Sequence, residues 1–421
     1  MSAPADPWDN QGEDMALAFA NRSALFFRQQ KFDDCLRDTK LALKCGYPKH
    51  LKYKIYQRQA KCYEETNSLS DAKNSYKSAI NFLNFSKINK EQKHNLQNDL
   101  VKALTELEER EESVVDEPKR VIVESPGEAS PAFPRNSRFP SLHKSLTVKY
   151  DGARGRHIIA SEAVKCGTYL AHESPIVSFL WSENSLSHCS HCFTTVSSPV
   201  PCFTCSMVVF CSEQCRDEGW RIYHQYECKA VEAMNSAYQN IFVAYRAISQ
   251  RPLKYFLDIR AEVEDYDHHR GGGCYDYEYE SDSESGDTEP ESEDEDHQLD
   301  GPYTQDDYIN FYNLLKHSRK SSDADKLAFA TSASLMLYYL KINNYFGFNA
   351  SRDSDRELND CELFIGRLLY HFLEVTMCNS QDICEAVAWN IDKGVTTSGI
   401  GTGVYNTISL FNHSCCPNTA R

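Results

Sequence analysis

The sequence predicts an α+β protein in which N-terminal helical hairpins precede a strand-rich core, itself split by a metal-held module and a helical insertion. Three observations carry the prediction. A helical pattern repeats itself between residues 13 and 110. Strand-like runs begin beyond residue 141. Eight Cys and His residues at paired spacings interrupt those runs between Cys189 and Cys228.

The helical repeat is weak but physical. KFDDCLRDTKLAL, from Lys31, superposes on SLSDAKNSYKSAI, from Ser68, at a period of 37, pairing Phe32 with Leu69, Cys35 with Ala72 and Ala42 with Ala79. The upstream segments NRSALFF and QRQAKCY match at 36. Small residues at fixed positions let paired helices approach closely, the mechanical basis of tetratricopeptide (TPR) stacking, whose usual period is about 34 residues. The insert GYPKHL lengthens it. An unrelated helical bundle is the other reading. A further helix places Leu96, Leu100, Leu104 and Leu107 on one face. Residues 111–140, rich in Pro, Ser and Glu, read as a linker. SLTVKY, RHIIASEAV and TYLAHESPIVSFL read as strands. After Cys228 the pattern is helical again. Residues 264–302 are acidic and of low complexity, so disorder is expected there. Two apolar helices follow, DKLAFATSASLMLYYLKINNYF and CELFIGRLLYHFLEVT.

Composition narrows the classes. A chain of 421 residues suggests two or three domains, and 41% hydrophobic residues suffice for real cores. The formal charge of −16 argues against direct DNA binding, which needs a basic stripe. Much of the excess lies in Asp276–Asp296, which holds no Lys or Arg. No run of apolar residues is long enough for a membrane helix. The start, MSAPADPWDNQGEDM, has neither the charged beginning nor the apolar core of a secretory signal. Of seventeen cysteines, seven have metal-ligand spacing and the rest are scattered. That usage suits a reducing compartment, cytoplasm or nucleus.

The ligand set is Cys189-x-x-Cys192, Cys202-x-x-Cys205, Cys211-x-x-x-Cys215 and His224-x-x-x-Cys228. Eight soft ligands make two tetrahedral sites, and zinc suits sulfur and imidazole. No position remains for water, so both ions are structural. A segment this poor in apolar residues is expected to fold on its metals. Spacing alone leaves open which ligands share an ion. His188 and His191 flank the set as spectators. With Phe210 before CSEQC and Trp220 before the His, the segment resembles the MYND finger over residues 189–228. The family's cross-braced wiring implies Cys189, Cys192, Cys211 and Cys215 on one ion, and Cys202, Cys205, His224 and Cys228 on the other.

Three further segments resemble the SET methyltransferase core, covering residues 141–421: Arg154-Gly155-Arg156-His157, Cys378-Asn379-Ser380, and Ser409-Leu-Phe-Asn412-His413-Ser-Cys-Cys-Pro-Asn418. With the finger between the first two, the chain resembles the SET and MYND domain-containing protein-lysine methyltransferases, most closely their TPR-bearing branch. The resemblance implies S-adenosylmethionine as methyl donor. It also implies Arg154, Gly155, Arg156, Asn379, Ser409, Asn412 and His413 as donor-site residues. A glycine such as Gly155 allows close backbone approach, and an adjacent cation can meet the donor's carboxylate. Family chemistry is in-line methyl transfer to a neutral lysine amine, so the protein's task is positioning and desolvation. The bland readings are a solvated cation for Arg156 and a locally satisfied strand residue for Ser409.

SET enzymes also carry a tyrosine-bearing segment and a Cys-x-Cys-x-x-Cys cluster after the NHSC motif. By resemblance these lie beyond Arg421, which makes the sequence truncated at its C-terminal end, leaves Cys415 without fellow ligands and names no catalytic tyrosine. The expected partners are protein substrates through their lysines and proline-containing peptides through the finger; Asn21, Arg22, Lys54 and Arg58 match two of the three repeats that grip heat-shock chaperone tails, the first being absent, and the other reading of these charges is solvated helix faces. The competing reading is a non-catalytic MYND/TPR scaffold, for example in transcriptional regulation.

Overall fold

A computed structural model describes residues 12–113, 132–151, 155–234, 239–270, 302–316, 321–347, 357–390 and 394–419. The protein divides into two compact units, Met1–Gly127 and Glu128–Arg421. Arg154 and most of the acidic stretch lie outside the described residues.

The first unit is a run of helices: α1 (Gly12–Arg28), α2 (Phe32–Lys44), α3 (Lys52–Glu65), α4 (Leu69–Leu83) and α5 (Lys90–Ser113). The repeat maps onto the hairpins α1/α2 and α3/α4. Phe32 and Leu69 each open the second helix of a pair. Cys35, Ala42, Ala72 and Ala79 are all fully buried. Leu100 and Leu107 of α5 bury against α3 and α4, with Leu96 and Leu104 beside them. The cations expected to grip an acidic tail are differently engaged. Arg22 forks onto both carboxylate oxygens of buried Asp38 at 2.6 and 2.8 Å. Arg58 donates to Ala20 O and to Ser23 Oγ. Asn21 and Lys54 are exposed.

In the second unit, β1 (Leu146–Asp151) and β2 (Gly155–Ala160) pair antiparallel. Of the segment TYLAHESPIVSFL, only Val177–Leu180 is a strand, β3. Pro175 lacks the N–H that a ladder needs, and upstream only Ala171 bridges, to Leu142. The finger supplies β4 (Val200–Pro201), β5 (Val209–Phe210) and α6 (Glu213–Gly219), then one π-helical turn, Trp220–His224. Helices α7 (Gln225–Met234), α8 (Gln239–Ser249), α9 (Leu253–Asp258), α10 (Arg260–Arg270), α11 (Tyr308–Tyr312), α12 (Asp323–Ile342) and α13 (Asp360–Asn379) follow. The expected disorder at 264–302 is corrected at its start. Residues 264–270 continue α10, where Val263 is buried and Arg260 binds Glu264 at 2.7 Å.

Two long strands that the sequence reading passed over, β6 (Ser380–Asn390) and β7 (Gly394–Val404), complete a sheet in the order β3-β7-β6. Glycine is needed at 399, because a Cβ there would lie 2.6 Å from the Trp181 ring, whose Nε1 donates to Thr402 Oγ1. The core joins this sheet to α8, α12 and α13 and takes in the finger's Val208 and Phe210.

Candidate functional site

The finger's backbone delivers its ligands in pairs. Cys189 and Cys192 sit in a tight turn closed by Phe193 at φ 60°. Cys202 follows β4, and Cys211 follows β5. Ser212 caps α6 by accepting from the Cys215 N–H at 3.1 Å, which turns Cys215 back to within 3.4 Å of the Cys211 sulfur. His224 and Cys228, four residues apart at the π-turn and α7, share a face.

The result is two groups, Cys189, Cys192, Cys211 and Cys215, and Cys202, Cys205, His224 and Cys228, each with its ligand atoms within 4.8 Å of one another. Tetrahedral zinc with bonds of about 2.3 Å spaces its sulfurs about 3.8 Å apart. Here Cys192–Cys211 is 3.6 Å and Cys202–Cys228 is 4.0 Å. The geometry therefore fits zinc, in the cross-braced pairing. His188 and His191 belong to neither group. His188 contacts Glu385 at 3.1 Å, and His191 contacts Glu218 at 3.4 Å.

Crowding of sulfurs splits their proton affinities. A hydrogen bond from Cys189 holds Cys192 down at about 4, while Cys189 itself is pushed up. Hydrogen bonds from Cys205 and Cys228 hold Cys202 low, and Cys228 is pushed up in turn. Burial pulls the His224 imidazole down, but the Cys202 and Cys205 sulfurs outweigh it and lift it to about 9. Four thiolates, or three beside an imidazole, can sit this close only around a cation that replaces their shared protons.

A second polar cluster ties the strand pair β1–β2 to the protein's last described turn. Gly155 begins β2 at φ +64°, left-handed backbone that suits glycine. Arg156 donates to Asn313 O. Tyr303, whose hydroxyl burial pushes up to about 12, reaches Asn406 O at 3.3 Å. Asn406, fully buried, donates to the carbonyls of Thr304, Gln305 and Asp307. Glu173 accepts from Thr407 N and Ile408 N at 2.8–3.0 Å, just before Ser409. Asn379 donates to Leu315 O at 2.7 Å and Val375 O at 2.8 Å. Around these clamps, Asn313 Oδ1, Ser380 Oγ, Asn406 Oδ1 and Ser409 Oγ are buried with no hydrogen-bond partner among the described residues. Buried polar atoms are ordinarily paired, so this cluster has the chemistry of a site for a polar ligand.

A model of the MYND finger matches residues 189–228. Over its length, the chain is 26% identical to the protein-lysine N-methyltransferase SMYD4 of Gallus gallus across 452 residues, which cover 96% of this chain and 59% of that protein. The human protein of the same name is 23% identical across 451 residues, 97% of this chain and 55% of that one. The histone-lysine N-methyltransferase ASHR2 of Arabidopsis thaliana is 36% identical over 76 residues, 17% of this chain and 19% of that protein. The chain thus carries a MYND finger and along its length is similar to SET and MYND domain-containing proteins. It spans a little over half the length of the SMYD4 relatives.

Among the residues that the family resemblance assigns to the donor, Arg156 and Asn379 hold carbonyls of residues 313 and 315, Gly155 directly precedes Arg156, and Ser409 follows the Ile408 whose N–H Glu173 accepts. Asn412 and His413 lie on the exposed tail, where His413 Nε2 is 3.6 Å from Cys415 Sγ. Arg154 lies outside the described residues. Arg156 is no solvated cation, since a backbone carbonyl holds it. Sequence reasoning missed Glu173, Tyr303, Asn313 and Asn406. The signal for Glu173 was a lone carboxylate inside an apolar run; the others had none. It also missed the ion pair under the finger. Fully buried Glu227, next to ligand Cys228, binds Arg246 at 2.6 Å and Ser249 at 2.7 Å. Arg246 also donates to Ser178 O of β3 and lies over the Tyr223 ring. Burial works against the Arg246 charge, but Glu227 outweighs it.

Proposed function

We propose that this chain supplies the zinc-bearing and donor-binding parts of an S-adenosylmethionine-dependent protein-lysine N-methyltransferase. The observation that carries the reading is the set of orphaned buried polar atoms on Asn313, Ser380, Asn406 and Ser409 beside Gly155 and Arg156. S-adenosylmethionine brings an adenine, an ammonium and a carboxylate that can satisfy such atoms, and its sulfonium supplies a transferable methyl group. Gly155 would let the donor approach the backbone closely. Ser409, Asn412 and His413 would hold its polar ends. The finger's zinc ions shape the protein and take no part in transfer. Protein substrates would present a lysine. Proline-containing peptides would dock on the finger. The free cysteines suit cytoplasm and nucleus.

Calorimetry with S-adenosylmethionine on the full protein tests this directly. We expect saturable binding that disappears in the double variant Asn412→Ala, His413→Ala, with zinc content unchanged because both residues are exposed and lie far along the sequence from the finger. A wild-type protein that ignores the donor would favour the non-catalytic scaffold.

A further inference from the structure

One histidine of α13 takes no part in zinc binding, yet it is buried and fully engaged. His371 is 6% exposed, and its ring stacks on Tyr312 with centroids 3.7 Å apart and planes at 5°. Nε2 lies 2.8 Å from Tyr312 O, and Nδ1 lies 3.1 Å from Lys316 Nζ. An ammonium can only donate, so Nδ1 must accept, and the ring proton sits on Nε2 and goes to Tyr312 O. An imidazolium would place two donors face to face. Burial, reinforced by Lys316, pushes the ring's pKa down to about 3, so the neutral form persists. Glu374, one helical turn on, stands 4.0 Å from the same ammonium.

Residues 312–316 are thus gripped at successive points. His371 takes Tyr312 O and the Lys316 side chain, Arg156 takes Asn313 O, and Asn379 takes Leu315 O. Between these grips Asn313 presents its orphaned Oδ1. These residues are the frayed end of α11, where the last carbonyls have no helical donor ahead of them, so without the clamps they would be free to rotate and the orphan would lose its aim. We infer that His371 is a positioning residue of the donor site, fixing residues 312–316 as one of its walls through Tyr312 O and Lys316. The inference rests on the donor reading above.

The test measures S-adenosylmethionine binding by calorimetry, together with zinc content and melting temperature, for the wild type, His371→Phe, His371→Gln and Lys316→Met. Phenylalanine keeps the stack and removes both hydrogen bonds. Glutamine keeps a donor and an acceptor and removes the stack. Loss of the hydrogen bonds should weaken donor binding about tenfold in His371→Phe and about threefold in Lys316→Met, with two zinc ions retained. His371→Gln should recover to within about threefold of the wild type. A merely structural histidine would instead make binding follow the melting temperature, with glutamine no better than phenylalanine; that result overturns the inference. Should His371→Phe not fold, Lys316→Met decides, because its side chain is 31% exposed and off the core. Wild-type binding with Lys316→Met unchanged sinks the inference alone. A wild type that does not bind the donor removes the donor reading and the inference together.

Discussion

The finger and the second polar cluster are both built from polar side chains, yet they are held in opposite ways. All eight finger ligands come from residues 189–228 and converge on two points. The second cluster closes over long sequence separations: Arg156 reaches Asn313 over 157 residues, and Glu173 reaches Thr407 over 234. Chelation supplies free energy locally, so the finger needs only a short segment to form. The second cluster can close only after the rest of the unit has folded, because each grip presupposes long loops already brought together. The two regions are not independent, however. The finger's Cys189, Val208, Phe210 and Cys228 lie in the same apolar core as Phe242 of α8 and Phe372 of α13. Glu227 and Arg246 add a buried ion pair beneath it. The metals would therefore also stabilise a wall of the larger core.

Removing zinc breaks this comparison most severely. Structural zinc sites hold on the order of 10 kcal/mol of folding free energy. A chelator in excess, or Cys228→Ser, should release metal and lower the melting transition of the second unit, Glu128–Arg421, by about 10 °C or more. The α1–α5 hairpins should keep their helicity. Calorimetric melting with metal analysis checks it, and an unchanged core transition in zinc-free protein would mean that finger and core fold apart.

The next effect probes the second polar cluster. Glu173 is 8% exposed and accepts three hydrogen bonds from two backbone N–H groups. Glu173→Ala leaves the buried Thr407 N–H and the half-buried Ile408 N–H without this acceptor, a loss of about 2–4 kcal/mol. Its pKa also has a signature. Burial raises it above the ordinary glutamate value, and the hydrogen bonds from Ile408 and Thr407 offset only part of that. A raised folded pKa means that the folded protein holds the proton more tightly than the unfolded one. The stability from that proton is complete below the unfolded value and is lost as pH rises through the folded value. Urea midpoints of the wild type should therefore fall across the window just above the ordinary glutamate pKa. Glu173→Gln should lack that slope, and an identical slope in the variant would assign the titration elsewhere.

Physical range decides what was readable. The helical hairpins were legible because their contacts are local: a period of about 37 residues, with Cys35, Ala42, Ala72 and Ala79 at the tight approaches, is written in one stretch of sequence. The zinc pairing was legible once the finger family was recognised, since ligand chemistry permits few residue types. Strands β6 and β7 were missed, because glycines 399, 401 and 403 dilute their pattern and are explained only by close neighbours such as Trp181. The acceptor roles of Glu173, the donor role of Asn406 and the clamp by His371 depend on partners 55 to 235 residues away, and on burial that no local pattern encodes. The engagements of Arg22 and Arg58 were hidden for the same reason. Their cationic character was plain, but Asp38 and the Ala20 carbonyl, which hold them inside the hairpins, became evident only in three dimensions.

The smallest expected effect lies where the finger meets β6 at the surface. Glu385 accepts from Thr195 Oγ1 at 3.3 Å and lies 3.1 Å from His188 Nε2, beside zinc ligand Cys189. Its position suggests an anchor between finger and sheet. Its side chain is 35% exposed, however, so water competes for both contacts and screens the charge. Exposed pairs of this kind contribute about 0–1 kcal/mol. Glutamine is isosteric and still offers a carbonyl oxygen to both donors. Glu385→Gln should thus shift stability by no more than about 0.5 kcal/mol, with zinc content unchanged. Denaturant unfolding of the variant against the wild type measures this. A loss of several kcal/mol would move the anchoring of the finger from the buried Glu227–Arg246 pair and the shared apolar core to this rim, and would make the finger a separable module clipped on at its edge.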